Sequence, residues 1–365
     1  MPTDSRLKAG PGALQSRGTI AATATAVPPH TMTSEEARAQ VGRVFNIEEY
    51  RLEVMANVID NSLIRKRHII FPLDYTITPR SLSKTNQEYQ EHAILLGQKS
   101  AEDCLANAGL RPADVDLLVT VSCTGFMIPS LDAHLINRMG FRSDVRRLPV
   151  TELGCAAGAM SLTRASEFLR AFPGKNVLII SVELPSLTFQ RRDTTPANLI
   201  CSVLFGDGAA AVLVRGPLAS GLQILDAETY TFPQSLDAMG FDLRDSGFHI
   251  LLSKDVPSMI REKIKGLAER FLARHGLSLE SIAGFMLHPG GQKLLSYIEE
   301  ELNLPREKTQ FSWDVLCEYG NLSSATIFFI LQEWLTKGRM RRGDYGLAAA
   351  FGPGFSAELL LLQST

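Results

Sequence analysis

Apolar residues recur at helical spacing after residue 156, at Met160, Leu162, Ala165 and Leu169. The run Leu153-Gly-Cys-Ala-Ala-Gly-Ala159 stands directly before them, so the pattern predicts an amphipathic helix opening at Cys155. Elsewhere the periodicity gives way to short, continuous apolar runs. Residues 115–122 and 282–288 predict buried strands, and each follows a helical segment ended by Gly-Leu. Helix alternating with buried strand predicts an α/β fold.

The two helix–strand units resemble each other. Ala101-Glu-Asp-Cys-Leu-Ala-Asn-Ala-Gly-Leu110 and Ala268-Glu-Arg-Phe-Leu-Ala-Arg-His-Gly-Leu277 match at six of ten positions, at an offset of 167. Gly154-Cys155-Ala-Ala pairs with Gly320-Asn321-Leu-Ser at an offset of 166, and both open helical patterns. Gly174-Lys-Asn-Val-Leu-Ile-Ile180 pairs with Gly343-Asp-Tyr-Gly-Leu-Ala-Ala349 at 169, each a turn into a strand. Three segments at nearly one offset predict a duplicated chain. The halves are 18–225, carrying Cys155, and 226–365, carrying His288 and Asn321. On this pairing Cys155 and Asn321 face one site from two helix starts, and His288 joins them from a strand end, where open α/β sheets place ligands.

Composition narrows the function classes. The chain has 365 residues, 45% hydrophobic and 21% charged, with a net charge of −2. Nothing in that balance predicts a nucleic-acid or anionic-membrane partner. No apolar run approaches the ~20 residues of a membrane span. Residues 1–17, rich in Gly, Pro, Ser and charge, predict a disordered tail. Five scattered cysteines without a CxxC pair argue against zinc or thioredoxin chemistry and fit a reducing cytoplasm.

The candidate chemistry is nucleophilic. A helix start aimed at the sulfur favours thiolate, which makes Cys155 a candidate carrier of a covalent thioester. A buried, inert cysteine remains the alternative. His288, in His288-Pro-Gly-Gly291, is the natural partner for the thiol proton, or else a structural histidine. Asn321 offers two fixed N–H donors for an oxyanion, or else caps a helix. Asp207 sits between glycines, which favours a turn role. No phosphate-binding loop is present, and Ile64-Arg-Lys-Arg-His68 is either a solvated face or a contact for nucleotide phosphates.

The order Cys155, His288, Asn321 occurs with Phe205-Gly-Asp-Gly-Ala-Ala-Ala211, Tyr319-Gly-Asn-Leu-Ser-Ser324 and Ala350-Phe-Gly-Pro-Gly354. Together these motifs resemble the type III polyketide synthases, the chalcone-synthase-like members of the thiolase superfamily, over nearly all of the chain after residue 18. The resemblance implies a thiolase-like five-layer αβαβα fold made of two duplicated halves, and a homodimer. It implies an acyltransferase using acyl-CoA and malonyl-CoA, without metal or organic cofactor. It assigns acyl loading to Cys155, and enolate and oxyanion stabilisation to His288 and Asn321. Phe205 matches an aromatic gate of the substrate pocket. Cys123, Thr188, Phe241 and Ile250 match further pocket positions, although Phe248 stands close to the position assigned to Ile250. Ile128 matches a loop residue that crosses into the partner's cavity.

Plant-type cationic CoA contacts align with Val54, Asn57 and Asn61, so that role is expected of Arg65, Lys66, Arg67 or Lys293, with Gly290 and Gly291 alongside. Ser122-Cys-Thr-Gly-Phe-Met-Ile-Pro-Ser130 and Thr151-Glu-Leu-Gly-Cys155 are similar to bacterial alkylpyrone and alkylresorcinol synthases. The expected reaction therefore starts from a long-chain acyl-CoA. The alternatives are a tetrahydroxynaphthalene synthase primed by malonyl-CoA, which Cys123 favours, and a ketoacyl synthase III making one condensation.

Overall fold

The computed structural model describes residues 18–365 except 46, 217, 218 and 339. The tail expected over 1–17 lies outside the described residues. Strands are β1 (Thr19–Ala26), β2 (His30–Thr33), β3 (Lys66–Ile69), β4 (Leu117–Val121), β5 (Arg146–Val150), β6 (Val177–Glu183), β7 (Gly208–Arg215), β8 (Leu222–Thr231), β9 (Met239–Arg244), β10 (Gly247–Leu252), β11 (Ile282–Leu287), β12 (Tyr345–Gly352) and β13 (Ser356–Ser364). Helices are α1 (Ser34–Val44), α2 (Glu49–Asn61), α3 (Leu73–Thr76), α4 (Leu82–Asn107), α5 (Leu131–Met139), α6 (Ala157–Ala171), α7 (Pro196–Leu204), α8 (Val256–Ala273), α9 (Gln292–Leu302), α10 (Gln310–Tyr319) and α11 (Thr326–Lys337).

Nine strands form one sheet in the order β11-β12-β13-β8-β1-β7-β6-β4-β5. The order contains one pairing scheme twice. β4 runs parallel to β6, which pairs antiparallel with β7 and then β1. β11 runs parallel to β12, which pairs antiparallel with β13 and then β8. The first half adds β5 outside β4. The halves join along a short β1–β8 seam, Thr19 opposite Gln223 and Ile20 opposite Leu222.

The strands are apolar on both faces because each face meets a helix layer. Ala210, Val212 and Val214 of β7, with Leu360 and Leu362 of β13, enter a central core; Ala209, Ala211 and Leu213, or Leu359 and Leu361, enter two outer cores. α6 and α11 fill the centre and touch strands of both halves. A helix between the two halves of the sheet needs a small or wholly apolar surface, and Ala157-Gly-Ala159 and Ile327-Phe-Phe-Ile-Leu331 are buried throughout. α4 covers the first half, and Ile260, Ile264, Leu267 and Phe271 of α8 cover the second. The layers thus run α-β-α-β-α.

Candidate active site

Cys155 lies in a 3-10 turn, Gly154–Ala156, that leads into α6. The turn is pressed against the β12–β13 connection, which explains the glycines there. A Cβ on Gly352 would stand 2.5 Å from the Leu153 carbonyl oxygen. Gly154 has φ +48°, and a Cβ there would meet the Pro353 ring at 2.5 Å.

The second half repeats this turn. Leu153 and Leu322 have φ near −90° (−91° and −93°), Gly154 and Ser323 have φ +48° and +51°, and Ala156 and Ala325 have φ −75° and −74°. The structural offset is therefore 169, and the residue opposite Cys155 is Ser324. This corrects the pairing of Cys155 with Asn321, which rested on the shared glycine before each. The two helix starts cross closely, because a Cβ on Gly158 would lie 2.2 Å from the Ser324 carbonyl oxygen.

Asn321 reaches the site by another route. It follows α10 at Gly320, whose φ is +70°, and forms a one-residue parallel bridge with Phe205. The Asn321 N–H donates to Leu204 O at 2.9 Å, and the Gly206 N–H donates to Asn321 O at 3.0 Å. Its Oδ1 accepts from the Ser323 N–H at 2.8 Å, which orients the amide. Ser323 Oγ lies 3.6 Å from the sulfurs of both Cys155 and Cys123.

Electrostatics depart from the helix-start expectation. Burial pushes the Cys155 thiol up to about 12; hydrogen bonds from Ser323 and Asn321 pull it down, and the Glu183 charge pushes it further up. Desolvation outweighs the helix start because the sulfur is almost wholly enclosed. His288 stands at the end of β11, its N–H bonded to Ala349 O at 2.8 Å. It is buried, and neither ring nitrogen has a hydrogen-bond partner among the described residues. Burial lowers its pKa to about 3, so the ring is neutral at pH 7. A buried imidazole with two unused nitrogens is costly unless an incoming group supplies a partner.

A cavity of ≈ 140 Å³ holds Cys155, Cys123 and Ser323 in its wall. That is about ten times the space one water needs. Its lining is mostly apolar and includes Phe205, Phe241, Phe248 and Ile250.

Models of the chalcone and stilbene synthases match residues 11–217 (N-terminal domain) and 223–365 (C-terminal domain). The chain belongs to the type III polyketide synthases. It is 35% identical to a 1,3,6,8-tetrahydroxynaphthalene synthase of Streptomyces coelicolor over 94% of this chain and 91% of that one. It is 33% identical to a phloroglucinol synthase of Pseudomonas fluorescens, over 92% and 98%. The solved structure of the S. coelicolor enzyme superposes with a TM-score of 0.92 at 34% identity, covering 95% of this chain and 99% of that one.

In this type III polyketide synthase, an acyl-condensing transferase, five expected pocket residues line the Cys155 cavity: Phe205, Cys123, Thr188, Phe241 and Ile250. Phe248 lines it too, stacked on Phe126 and edge-on to Phe241. Ile128 lies outside it, 99% exposed on a surface loop. Neither His288 nor Asn321 belongs to its lining. The residues expected at CoA also stand apart: Arg65 and Lys66 pair with Glu318 on the surface, and Lys293 sits 5.4 Å over the Tyr297 ring. Gly291, with φ +140°, precedes α9, and Gly290 packs on Leu294. Asp207 is more than a turn residue. Its buried carboxylate accepts from the N–H groups of Ile70 (2.7 Å) and Ser186 (2.8 Å), clamping two loops together.

Two features escaped the sequence reading. Glu183, buried at the end of β6, accepts from Cys123 N–H (3.1 Å), Thr124 Oγ1 (2.9 Å) and Ser324 Oγ, and burial raises its pKa. A lone acid ending the run Val177-Leu-Ile-Ile-Ser-Val-Glu183 was a legible signal. Ser323 gave none, since serine does not advertise a left-handed backbone. Arg67, expected among the CoA-contacting cations, is instead buried in the cavity wall and donates to the carbonyls of Ser202 (2.5 Å) and Phe205 (3.2 Å).

Proposed function

We propose that this enzyme loads an acyl group from a CoA thioester onto Cys155 and extends it with malonyl-CoA. The sulfur attacks the acyl carbonyl, the carbon–sulfur bond to CoA breaks, and the CoA thiol leaves with the proton. Malonyl-CoA then loses CO2, and the electron pair stays on the thioester as an enolate. His288 and the Asn321 amide hold that enolate oxygen. The carbanion attacks the acyl carbon, a carbon–carbon bond forms, and the bond to Cys155 breaks. Neutral donors suit this chemistry, because they stabilise charge that develops only as CO2 leaves. The observation that carries the reading is the pair of unpartnered, buried nitrogens on a neutral His288.

The starter is a long-chain acyl-CoA, closed after a few extensions to an alkylpyrone or alkylresorcinol. The apolar cavity beside Cys155 supports this reading. Arg65, Lys66 or Lys293 meets the CoA phosphates, beside Gly290 and Gly291. The enzyme acts as a homodimer, with Ile128 entering the partner's cavity; full exposure of an isoleucine favours such a cover. The chemistry requires no metal or organic cofactor.

Mass spectrometry of products from malonyl-CoA and acyl-CoAs of two to twenty carbons tests this. Turnover confined to short or aromatic starters would refute the long-chain reading. A second reading, priming by malonyl-CoA, is favoured by Cys123 sharing Ser323 with Cys155. An aromatic pentaketide from malonyl-CoA alone would establish it. No product without a carrier protein would point to a single-condensation synthase.

A further inference from the structure

α7 and the β9–β10 hairpin close two sides of the cavity, and two further walls differ in kind. One surrounds Cys155 and consists of sheet ends and turns, including Gly154, Ser323 and Pro353. The other is one face of α1. Ala37, Gln40, Val41 and Val44, at i, i+3, i+4 and i+7, line the cavity together with Leu73 and Ile77. The opposite face of α1 carries Glu35, Glu36, Arg38, Ala39 and Arg43, all exposed.

α1 is fastened at its ends and along its outer face. Ser34 N–H donates to Arg65 O at 2.9 Å, and Ser34 Oγ donates to Ile64 O. At the far end, Arg191 donates to Val44 O at 2.9 Å and Arg43 O at 3.1 Å. Arg38 pairs with Asp60, and Arg43 with Asp74 at 2.6 Å. Between these ties, Val44 is the one fully buried residue of the helix. An eleven-residue helix draws little stability from itself and depends on what packs beneath it. Ala37 and Val41 rest partly on the apolar cluster of Phe45, Met55, Ile59 and Ile77, and otherwise border the cavity whose wall also holds the sulfur that would carry the acyl group.

We propose that the inner face of α1 is the binding site for the aliphatic tail of the Cys155-bound acyl chain, and that Ala37 and Val41 set the longest chain accepted. This rests on the long-chain reading above. A mostly apolar wall takes an apolar guest, and the tail adds to the packing of α1 where its inner face borders the cavity. Gln40 borders the same wall as its polar member.

The test is the kcat/KM profile over saturated acyl-CoAs of two to twenty carbons with malonyl-CoA. It compares the full-length enzyme with Ala37→Phe and Val41→Phe, and with Ala39→Phe on the outer face as control. In both inner-face variants the longest starters lose ~10–200-fold for each methylene that no longer fits. Acetyl-CoA and butyryl-CoA keep their rates, and the control keeps the whole profile. Hydrogen exchange over residues 34–44 in wild-type enzyme gives a second reading: palmitoyl-CoA protects α1 and acetyl-CoA does not. Unchanged long-chain rates in both inner-face variants, equal losses for short and long starters, or no chain-dependent protection would overturn the proposal. A wild-type enzyme that ignores long starters fails the function reading itself, and the wild-type profile alone reveals that.

Discussion

Gly158→Ala separates the geometry of the site from the stability of the fold. A Cβ at residue 158 would lie 2.2 Å from the Ser324 carbonyl oxygen and 2.8 Å from Ile327 Cγ2, where ordinary contact begins at 3.4 Å. The two helix starts must then move apart by about 1.2 Å, since backbone is met and no side chain can turn away. Overpacking of this kind costs ~1–3 kcal/mol. Alanine returns up to ~1 kcal/mol of helix propensity inside α6. The net loss is therefore ~0–3 kcal/mol, or ~0–4 °C in Tm at ~2.1 cal/mol/K per residue. The site suffers more. Cys155 rides on one helix start and Ser323 on the other, 3.6 Å apart. A displacement near 1 Å costs a reaction of this type ~100-fold. Differential scanning calorimetry and a product assay by mass spectrometry read the two effects. Gly266→Ala in α8, where a Cβ meets nothing within 4 Å, is the control; it stabilises by ~1 kcal/mol with unchanged turnover. A Gly158→Ala enzyme with wild-type turnover would show that the close crossing does not hold the thiol in place.

Because burial holds the Cys155 thiol near 12, its alkylation by iodoacetamide should rise about tenfold per pH unit from pH 7 to 9; a plateau across that range would reveal a thiolate already formed. Cys155→Ala should abolish polyketide formation and leave malonyl-CoA decarboxylation measurable as CO2, whereas Asn321→Ala should cut that decarboxylation ~100–1,000-fold, the usual cost of one lost oxyanion donor. Burial raises Glu358 to about 7, above its ordinary 4.5, so its folded-state protonation stabilises the fold fully below about pH 4.5, and that contribution is lost as pH rises through 7. Glu358→Gln should therefore gain up to ~3 kcal/mol of relative stability at pH 8 and none at pH 4, read as the difference in Tm between the two pH values.

Much of this fold was legible because a repeat needs only pattern. The runs at 115–122 and 282–288 became β4 and β11, equivalent members of two identically paired strand sets. The turn before β6 and that before β12 kept the offset of 169 that the structure uses. What misled was side-chain likeness. Gly154 resembles Gly320, yet its backbone counterpart is Ser323, because equivalence here is set by φ and ψ. Burial opposes the thiolate expectation for a related reason: a helix start is local and visible, while enclosure by Ser323, Glu183 and the β12–β13 connection comes from parts of the chain far away. The α1 wall was equally hidden, since Ala37, Gln40, Val41 and Val44 show the same spacing whether they face a core or a void.

The seam strand has a consequence for how the chain is made. β1 is the first described strand, yet it lies in the interior of the sheet, between β7 and β8. Ala26 pairs with Ala209 and Thr19 with Arg215, so a nascent chain must carry β1 unpaired until most of its length has left the ribosome. During that interval an apolar strand with two open edges is exposed, which makes slow folding and a need for chaperone shelter intrinsic to this topology.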